Sequence, residues 1–225
     1  MSEKVRLQAS DGHEFGGYVA HPAHEPKAAL IVVQEIFGVN PHIRSVADGY
    51  AKDGFLVIAP AMFDRYERDV EIGYDKAGWA HAMELRTQIN TDWALLDISA
   101  AIDWVRNEVE KPVGIVGYCF GGSMAWLSAC RLDVDAAVAY YGAMIPKFVD
   151  EQPKVPVMLH FGREDSHIPA EGIAKIEQKH PEVPLFLYSA GHAFNRDSDP
   201  TAYNSVAARE ARKRTLMFFE QHLVF

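Results

Sequence analysis

Short runs of apolar residues recur along the chain, each bounded by residues that favour turns. Six of these runs are nearly continuous and rich in β-branched side chains, as expected of strands that are buried on both faces. They cover residues 28–33, 55–59, 113–116, 136–141, 157–161 and 185–188. The six runs predict the central strands of a sheet.

Segments with apolar residues at three- and four-residue steps lie between these runs, a spacing typical of helices. They cover residues 43–52, 92–109, 124–132, 170–179 and 202–222. This alternation predicts an α/β fold, with a mostly parallel central sheet and helices on both faces. Before this block, residues 5–7 and 13–19 flank Ser-Asp-Gly and predict an antiparallel hairpin at one edge of the sheet.

The least regular stretch covers residues 60–90 and contains Phe63, Tyr66, Tyr74 and Trp79. In open α/β sheets, ligands bind beyond the carboxyl ends of the strands, where connecting segments supply the binding residues. We therefore expect this stretch to cover a site at that edge of the sheet.

The composition is that of a globular protein, with 48% hydrophobic and 24% charged residues among 225. No repeat or linker divides the chain, so we expect a single domain over residues 1–225. The formal net charge of −9 disfavours nucleic acid and anionic membranes as partners. The first residues lack the apolar core of a signal peptide, which favours a soluble, cytoplasmic protein. These patterns do not specify an oligomeric state.

The run at 113–116 leads directly into Gly-Tyr-Cys-Phe-Gly-Gly, where a helical pattern begins. G-x-C-x-G between a strand and a helix is the pattern of a nucleophile elbow, with sulfur in place of a hydroxyl group. The tight turn requires glycine at Gly117 and Gly121. Cys119 is then expected at the N-terminus of a helix, where the helix dipole favours a thiolate. The alternative is a buried structural cysteine on a glycine-rich turn.

The second cysteine, Cys130, is predicted to be a small buried hydrophobic residue inside the same helix. The two cysteines are 11 positions apart, which on a helix corresponds to about 16 Å. A disulfide requires Cα atoms within about 7 Å, so we expect no disulfide between them.

A thiol nucleophile needs a base, and the base needs an acid to orient it. In α/β-hydrolases these residues follow in the order nucleophile, acid, histidine. Asp165 comes after the run at 157–161, and His192 after the run at 185–188, so both are expected at the same edge as Cys119. The alternatives are a turn or helix-capping acid for Asp165 and a solvated loop histidine for His192. His167 is the rival histidine near this edge.

The run at 28–33 leads into Gln-Glu-Ile-Phe-Gly, which puts Glu35 at the carboxyl end of a strand beside that of Cys119. A charge there is costly unless it is paired, and the candidate partners are Cys119 and nearby arginines. Alternatively, Glu35 only binds the backbone of its own loop. The backbone N–H groups of Ile36 and Phe120 are where an oxyanion hole is expected.

Five motifs together resemble the dienelactone hydrolase family in order and spacing: V-Q-E-I-F-G-V-N, G-Y-C-F-G-G, Y-Y-G, G-R-E-D-S-H-I-P and G-H-A-F-N-R. The resemblance covers nearly the whole chain. It implies a three-layer α/β-hydrolase fold with a triad of Cys119, His192 and Asp165. It also implies that Glu35 keeps the resting thiol protonated and takes its proton when substrate arrives. The implied reaction is hydrolysis of an enol-lactone, dienelactone, to maleylacetate.

The resemblance further implies that Arg196, four residues after the histidine, binds a carboxylate of the substrate. The family's second arginine lies on the cover segment, where Trp79, His81 and Arg86 are near the corresponding place. Arg86 is the candidate for this second anchor. A pair between arginine and carboxylate is strong and directional, so the loss of one anchor is expected to change the preferred acid. The alternative for Arg196 is a surface residue.

Signatures of cofactor binding are missing from the sequence. There is neither G-x-G-x-x-G nor G-K-[ST], and His21 and His24 have no third clustered ligand, so we expect no nucleotide, other cofactor or metal. The leading hypothesis is a cysteine-dependent hydrolase of a small lactone or ester. One alternative is a broader carboxylesterase or thioesterase with the same triad. The other is a degenerate hydrolase fold that acts as a ligand sensor or binding module.

Overall fold

The computed structural model describes residues 1–224, and eight strands in it form one sheet. The strands are β1 (Ser2–Gln8), β2 (Glu14–Ala20), β3 (Ala29–Val33), β4 (Leu56–Pro60), β5 (Val113–Tyr118), β6 (Ala136–Tyr140), β7 (Val157–Gly162) and β8 (Leu185–Tyr188). Their order is β1-β2-β4-β3-β5-β6-β7-β8. The first two strands form an antiparallel hairpin, β2 pairs antiparallel with β4, and all other neighbours are parallel.

Within the described residues, six α-helices accompany the strands, five between consecutive strands and one after the last. They are α1 (Pro41–Lys52), α2 (Lys76–Gln88), α3 (Thr91–Glu108), α4 (Phe120–Arg131), α5 (Ala170–Lys179) and α6 (Ser205–Leu223), with a short 3-10 helix at Ile145–Lys147. None of the helices within residues 1–224 is long and apolar enough to cross a membrane.

Residues of β5 contact helices on both faces of the sheet. A Cβ atom at Gly114 would touch Phe219 of α6, and Tyr118, on the same face, bonds through its hydroxyl to Tyr50 of α1. On the opposite face, Gly117 abuts the first turn of α4. The sheet therefore lies between two helical layers, which confirms the predicted three-layer α/β fold.

The ends of the sheet differ from the prediction in one respect. The run at 185–188 forms β8, which is the edge strand beside β7 and is only partly buried along most of its length. It was predicted as a central strand. Its four apolar residues resemble a buried run, and sequence alone does not reveal that no strand follows on its far side.

The cover segment is also more regular than its sequence indicates, because it contains α2. Its sequence has no continuous apolar stripe, because the helix buries only Ala82 and Leu85 and the other positions need not be apolar. Its N-terminus is capped by Asp75, whose carboxylate accepts a hydrogen bond from the backbone of Gly78 at 2.7 Å. At the end of the chain, α6 begins at Ser205 and not at residue 202, since Asn204 caps it.

One buried ion pair ties the cover segment to the helical layer. The guanidinium of Arg65 donates to both carboxylate oxygens of Asp97 on α3 at 2.8 Å, and Asp97 is completely buried. Burial raises the pKa of Asp97 to about 6, although Arg65 opposes the shift. The folded protein thus binds this proton more tightly than the unfolded chain does. This group favours folding most at low pH, and its contribution is lost as the pH rises through about 6.

Replacing Arg65 with methionine is expected to destabilise the protein by about 3–5 kcal/mol at pH 8, because the buried Asp97 carboxylate loses its partner. The loss should be smaller at pH 5, where Asp97 can take up a proton. Urea unfolding of both proteins at the two pH values measures it. Lys4→Ala, which removes an exposed ion pair with Asp69, is the control and should cost less than about 1 kcal/mol. An equal loss for Arg65→Met at both pH values would contradict the assignment.

Candidate active site

Cys119 lies on a sharp turn between β5 and α4. Its backbone has φ 56° and ψ −114°, in a region that side-chain-bearing residues rarely adopt. Neighbouring backbones approach closely enough to require glycine. A Cβ atom at Gly117 would lie 1.8 Å from the carbonyl oxygen of Gly121, and one at Gly121 would lie 2.2 Å from that of Val33. The turn therefore has the geometry of a nucleophile elbow, as the sequence predicted.

The strand order brings two distant loops to this turn. Asp165 follows β7, His192 follows β8, and both strands end at the same edge of the sheet as β5. The Nε2 atom of His192 lies 3.2 Å from the sulfur of Cys119, and its Nδ1 atom lies 2.7 Å from Oδ2 of Asp165. These two contacts form a continuous chain from sulfur to imidazole to carboxylate.

The charges of this chain support one another. Burial on its own lowers the pKa of His192, but the Cys119 thiolate and the Asp165 carboxylate outweigh it and raise the pKa to about 10. Burial likewise opposes ionisation of Asp165, yet hydrogen bonds from His192 and from the backbone of His167 keep the pKa of this carboxyl below its ordinary value. The imidazole of His192 is thus held in its protonated form beside the ionised carboxylate of Asp165.

Glu35 pairs with arginine and not with sulfur. It is almost completely buried just after β3, where its Oε2 accepts a hydrogen bond from Nε of Arg196 at 2.8 Å. Arg196 is 2% exposed and also donates to Asp199 through Nη1 at 3.2 Å. The Glu35 carboxylate outweighs the effect of burial and raises the pKa of Arg196 further. The alternative of a surface arginine is therefore wrong.

Aromatic rings surround the Arg196 guanidinium on its other sides. Its central carbon lies 4.8 Å from the ring centre of Phe37, 4.7 Å from that of Tyr74 and 5.7 Å from that of Trp79. Such contacts between a cation and aromatic faces are attractive, especially away from water. Since Trp79 belongs to α2, Arg196 links the cover helix to the loop that carries the histidine.

Ile36 and Phe120 both line the same cavity as Cys119. Within residues 1–224, neither amide donates to a protein acceptor. Phe120 is the first residue of α4, so its amide is one of the unpaired donors at a helix N-terminus. The two amides come from the loops after β3 and β5, which are neighbours in the sheet.

The cavity above Cys119 has a volume of about 180 Å³. Most of its lining is apolar, with cations at two places: Arg196, and Arg86 on α2. Arg86 contacts the sulfur of Met83 at 3.8 Å and has no acidic partner among the described residues. Apart from these residues, the lining consists of Ile36, Phe37, Trp79, Ile89, Cys119, Phe120, Ser123, Ala143, Met144, His167 and His192.

Two neighbours of the site were not identified as such from the sequence. Tyr141 is completely buried with a positive φ of 39°, stacks obliquely on His192 at 5.0 Å between ring centres, and lies with its hydroxyl 3.4 Å from Glu35. Asp199 is the second partner of Arg196. The sequence signal for Tyr141 is the motif Tyr-Tyr-Gly, and the signal for Asp199 is its short distance in sequence from Arg196. Neither signal indicates that the side chain points towards the site.

Cys130 lies away from this site on α4 and is buried, and burial raises the pKa of its thiol to about 12. Both cysteines are free thiols. The sheet order, the elbow after β5 and the loops after β7 and β8 together define an α/β-hydrolase.

Comparison with known proteins narrows this class. The model of the dienelactone hydrolase family matches residues 15–223. Carboxymethylenebutenolidase of Pseudomonas putida is 32% identical over 227 residues, which cover 97% of this chain and 96% of that protein. Carboxymethylenebutenolidase 1 of Cupriavidus pinatubonensis is 29% identical, with 96% and 95% covered. The chain belongs to the dienelactone hydrolase family, and it is a hydrolase that acts on esters or lactones.

Solved structures agree with this assignment. A Klebsiella pneumoniae protein assigned as a dienelactone hydrolase superposes with a TM-score of 0.84 at 28% identity, over 99% of this chain and 100% of that one. An esterase of Pyrococcus furiosus superposes with a TM-score of 0.73 at 16% identity, over 99% and 93%. The similarity to the Pyrococcus furiosus esterase shows only that the two proteins share a fold.

Gly121→Ala is expected to destabilise the protein by roughly 3 kcal/mol or more, because the added methyl group meets the carbonyl of Val33 and the turn must open. Thermal unfolding measures the loss. Gly73→Ala is the matched control, since a Cβ atom there meets nothing within 4 Å. Equal melting temperatures for the two variants would contradict the close approach at the elbow.

Proposed function

We propose that this protein hydrolyses a small lactone or ester with Cys119 as nucleophile, through a thioester acyl-enzyme. The observation that carries the proposal is the continuous chain from the Cys119 sulfur through His192 to Asp165. A thiolate 3.2 Å from a protonated imidazole is both an effective nucleophile and a source of the proton that the leaving group needs.

In the first half of the reaction, the sulfur attacks the carbonyl carbon and a carbon–sulfur bond forms. Negative charge develops on the carbonyl oxygen, and the amides of Ile36 and Phe120 are the donors proposed to stabilise it. The carbon–oxygen bond of the ester then breaks. The leaving oxygen takes the Nε2 proton of His192, and in a lactone this oxygen stays attached to the opened chain.

In the second half, His192 is neutral and accepts a proton from water. This water attacks the thioester, the carbon–sulfur bond breaks, and the acid product leaves. The thiolate and the protonated imidazole are then restored. Asp165 holds the imidazole in the orientation that both proton transfers need.

For Glu35 we propose the role that the family implies: it keeps the resting thiol protonated and takes its proton when substrate arrives. The Glu35 carboxylate is bonded to Arg196, while the sulfur is bonded to His192. A carboxylate that is paired with Arg196 has not taken up this proton, so the arrangement is the one before the proposed transfer, with the sulfur already beside the triad histidine.

We propose that the substrate carries a carboxylate. A cavity of about 180 Å³ fits a molecule with few non-hydrogen atoms. Two of the three nitrogens of Arg196 already donate to Glu35 and Asp199, so fewer of its N–H groups remain for a ligand. Arg86 has no such acidic partners. It is therefore the better candidate for the main anchor, with Arg196 as the second.

Cys119→Ala is expected to abolish turnover of an activated aryl ester, because no other group can form the acyl-enzyme. In wild type, the fraction of Cys119 that reaches the activated arrangement should react with iodoacetamide at about pH 6.5, which makes the observed alkylation faster than that of a free thiol, since the protonated imidazole stabilises the thiolate. His192→Ala should slow this alkylation by roughly tenfold or more at the same pH. Stopped-flow assays and mass spectrometry measure both rates.

Cys119→Ala is also the control for the alkylation, because it reports any reaction at the buried Cys130. Unchanged ester turnover in Cys119→Ala would refute the nucleophile. Wild-type alkylation no faster than that of a free thiol, together with no turnover of any ester, would instead favour a ligand sensor built on this fold.

Arg86→Met is expected to lower kcat/KM for a carboxylate-bearing lactone relative to a neutral aryl ester by about 10- to 100-fold. This is the value of a lost hydrogen bond between charged groups. Steady-state kinetics on both substrates give the ratio. Arg68→Met, on the cover segment but outside the cavity lining, is the control and should leave the ratio unchanged.

The second candidate function is that of a broader carboxylesterase or thioesterase with the same triad. Kinetics on the carboxylate-bearing lactone and the neutral aryl ester distinguish it from the carboxylate-binding enzyme. The largely apolar lining favours this candidate, because Trp79, Met83 and Met144 can contact uncharged acyl groups. A wild-type preference for the neutral ester, with no effect of Arg86→Met on the ratio, would establish it over the carboxylate-binding enzyme.

A further inference from the structure

His167 contacts two members of the triad, although the proposed reaction does not use its side chain. Its backbone amide donates to Oδ1 of Asp165 at 2.8 Å. Its ring faces that of His192, with 4.6 Å between the ring centres and 43° between the ring planes. Its Nδ1 atom also lies 3.4 Å from Oδ1 of Asp165. The histidine that was a rival base in the sequence therefore lies beside the pair formed by carboxylate and imidazole.

These side chains differ in their exposure to solvent. The side chain of Asp165 is completely buried and that of His192 is 13% exposed, whereas that of His167 is 52% exposed. A second ring, that of the completely buried Tyr141, also contacts His192. Of the two rings that pack on the imidazole of His192, the ring of His167 is thus the one that reaches solvent.

We infer that His167 is a positioning residue of the triad, whose ring covers the hydrogen bond between Asp165 and His192 and keeps water away from it. His167 then acts on the reaction through His192. This role rests on the proposed function, because a covered hydrogen bond matters for turnover only if His192 transfers the protons.

The cover matters because water weakens this hydrogen bond in two ways. Water competes for the carboxylate oxygens, and it screens the attraction between the carboxylate and the protonated imidazole. The pKa of His192 is raised to about 10 only because the charges of Cys119 and Asp165 outweigh the effect of burial. Screening reduces both attractions. An uncovered imidazole is therefore held less firmly in the orientation and the protonated form that stabilise a thiolate.

The ring itself, rather than its ability to take up a proton, suits this role. The distance of 3.4 Å from Nδ1 of His167 to Oδ1 of Asp165 is long for a hydrogen bond, and this oxygen already accepts from the backbone amide. The packing of the ring on His192 does not depend on a nitrogen atom. A phenyl ring at position 167 should consequently cover the pair as well, whereas a methyl group should leave it open.

The first test observes the covered proton directly and needs no turnover. Proton NMR of the full-length protein should show the Nδ1 proton of His192 as a low-field resonance, because a proton bonded to a carboxylate and protected from water exchanges slowly. The absence of this resonance from His192→Ala assigns it. His167→Ala should broaden the resonance beyond detection, and His167→Phe should restore it.

The second test measures rates with an aryl acetate and with iodoacetamide. His167→Ala should lower kcat about tenfold and change KM by less than about twofold, since the change acts on proton transfer and not on substrate binding. The same variant should slow the alkylation of Cys119 by a similar factor, although iodoacetamide is not a substrate. His167→Phe should recover most of both rates.

His81→Ala is the matched control, because His81 is a partly exposed histidine of the cover helix that pairs with Glu67 outside the cavity. It should leave the resonance and both rates as they are in wild type. Equal losses in His167→Ala and His167→Phe would overturn the covering role and assign the effect to the imidazole's polarity. An unchanged resonance in His167→Ala, or a resonance missing from wild type, would also overturn it.

The two tests separate the covering role from the proposed function. A protein that hydrolyses no ester, but whose resonance depends on the ring at position 167, keeps the covered hydrogen bond and refutes the enzyme. An active enzyme whose resonance and rates do not depend on this ring has the triad without the cover.

Discussion

The site depends on backbone segments that meet beneath Cys119 with no side chain between them. The first turn of α4 touches the carbonyls at the ends of β3 and β6, through Gly121 and Gly122. This contact holds three strand ends at fixed positions, and each is followed directly by a residue of the site. Any Cβ atom here would separate the strands and move the sulfur away from the imidazole. Backbone close packing, rather than side-chain chemistry, therefore fixes the geometry on which a nucleophile at this position relies.

A buried ion pair is the second feature that constrains the site. Glu35 and Arg196 are almost completely buried, and their pairing offsets part of the cost of removing both charges from water. The pair also joins parts of the chain that are 161 residues apart. Through Trp79, the cation extends this connection to the cover helix. Contacts of Arg196 thus connect Glu35, the loop that carries His192 and the cover helix above the cavity.

The sequence predicted the strands and the order of Cys119, Asp165 and His192 because these depend on local signals. Continuous apolar runs identify strands, and a glycine on both sides of a cysteine identifies a tight turn. The partner of Glu35 was left open, since two charged groups so far apart in sequence are brought together only by the strand order. Helix α2 was missed for a different reason: it buries few side chains and so lacks an apolar stripe. The position of β8 at the edge depends on the absence of a neighbour, which no local pattern encodes.

The helix α2 buries few side chains, and this has a consequence for the evolution of related proteins. Only Ala82 and Leu85 anchor this helix by full burial, yet Trp79, Met83 and Arg86 of the same helix line the cavity. Substitutions at the last three positions change the lining of the cavity and leave the sheet, the elbow and the chain of contacts from Cys119 to Asp165 unchanged. Selection for a new substrate can therefore act on one short surface helix at little risk to folding, and descendants of a common ancestor are expected to differ most along this stretch.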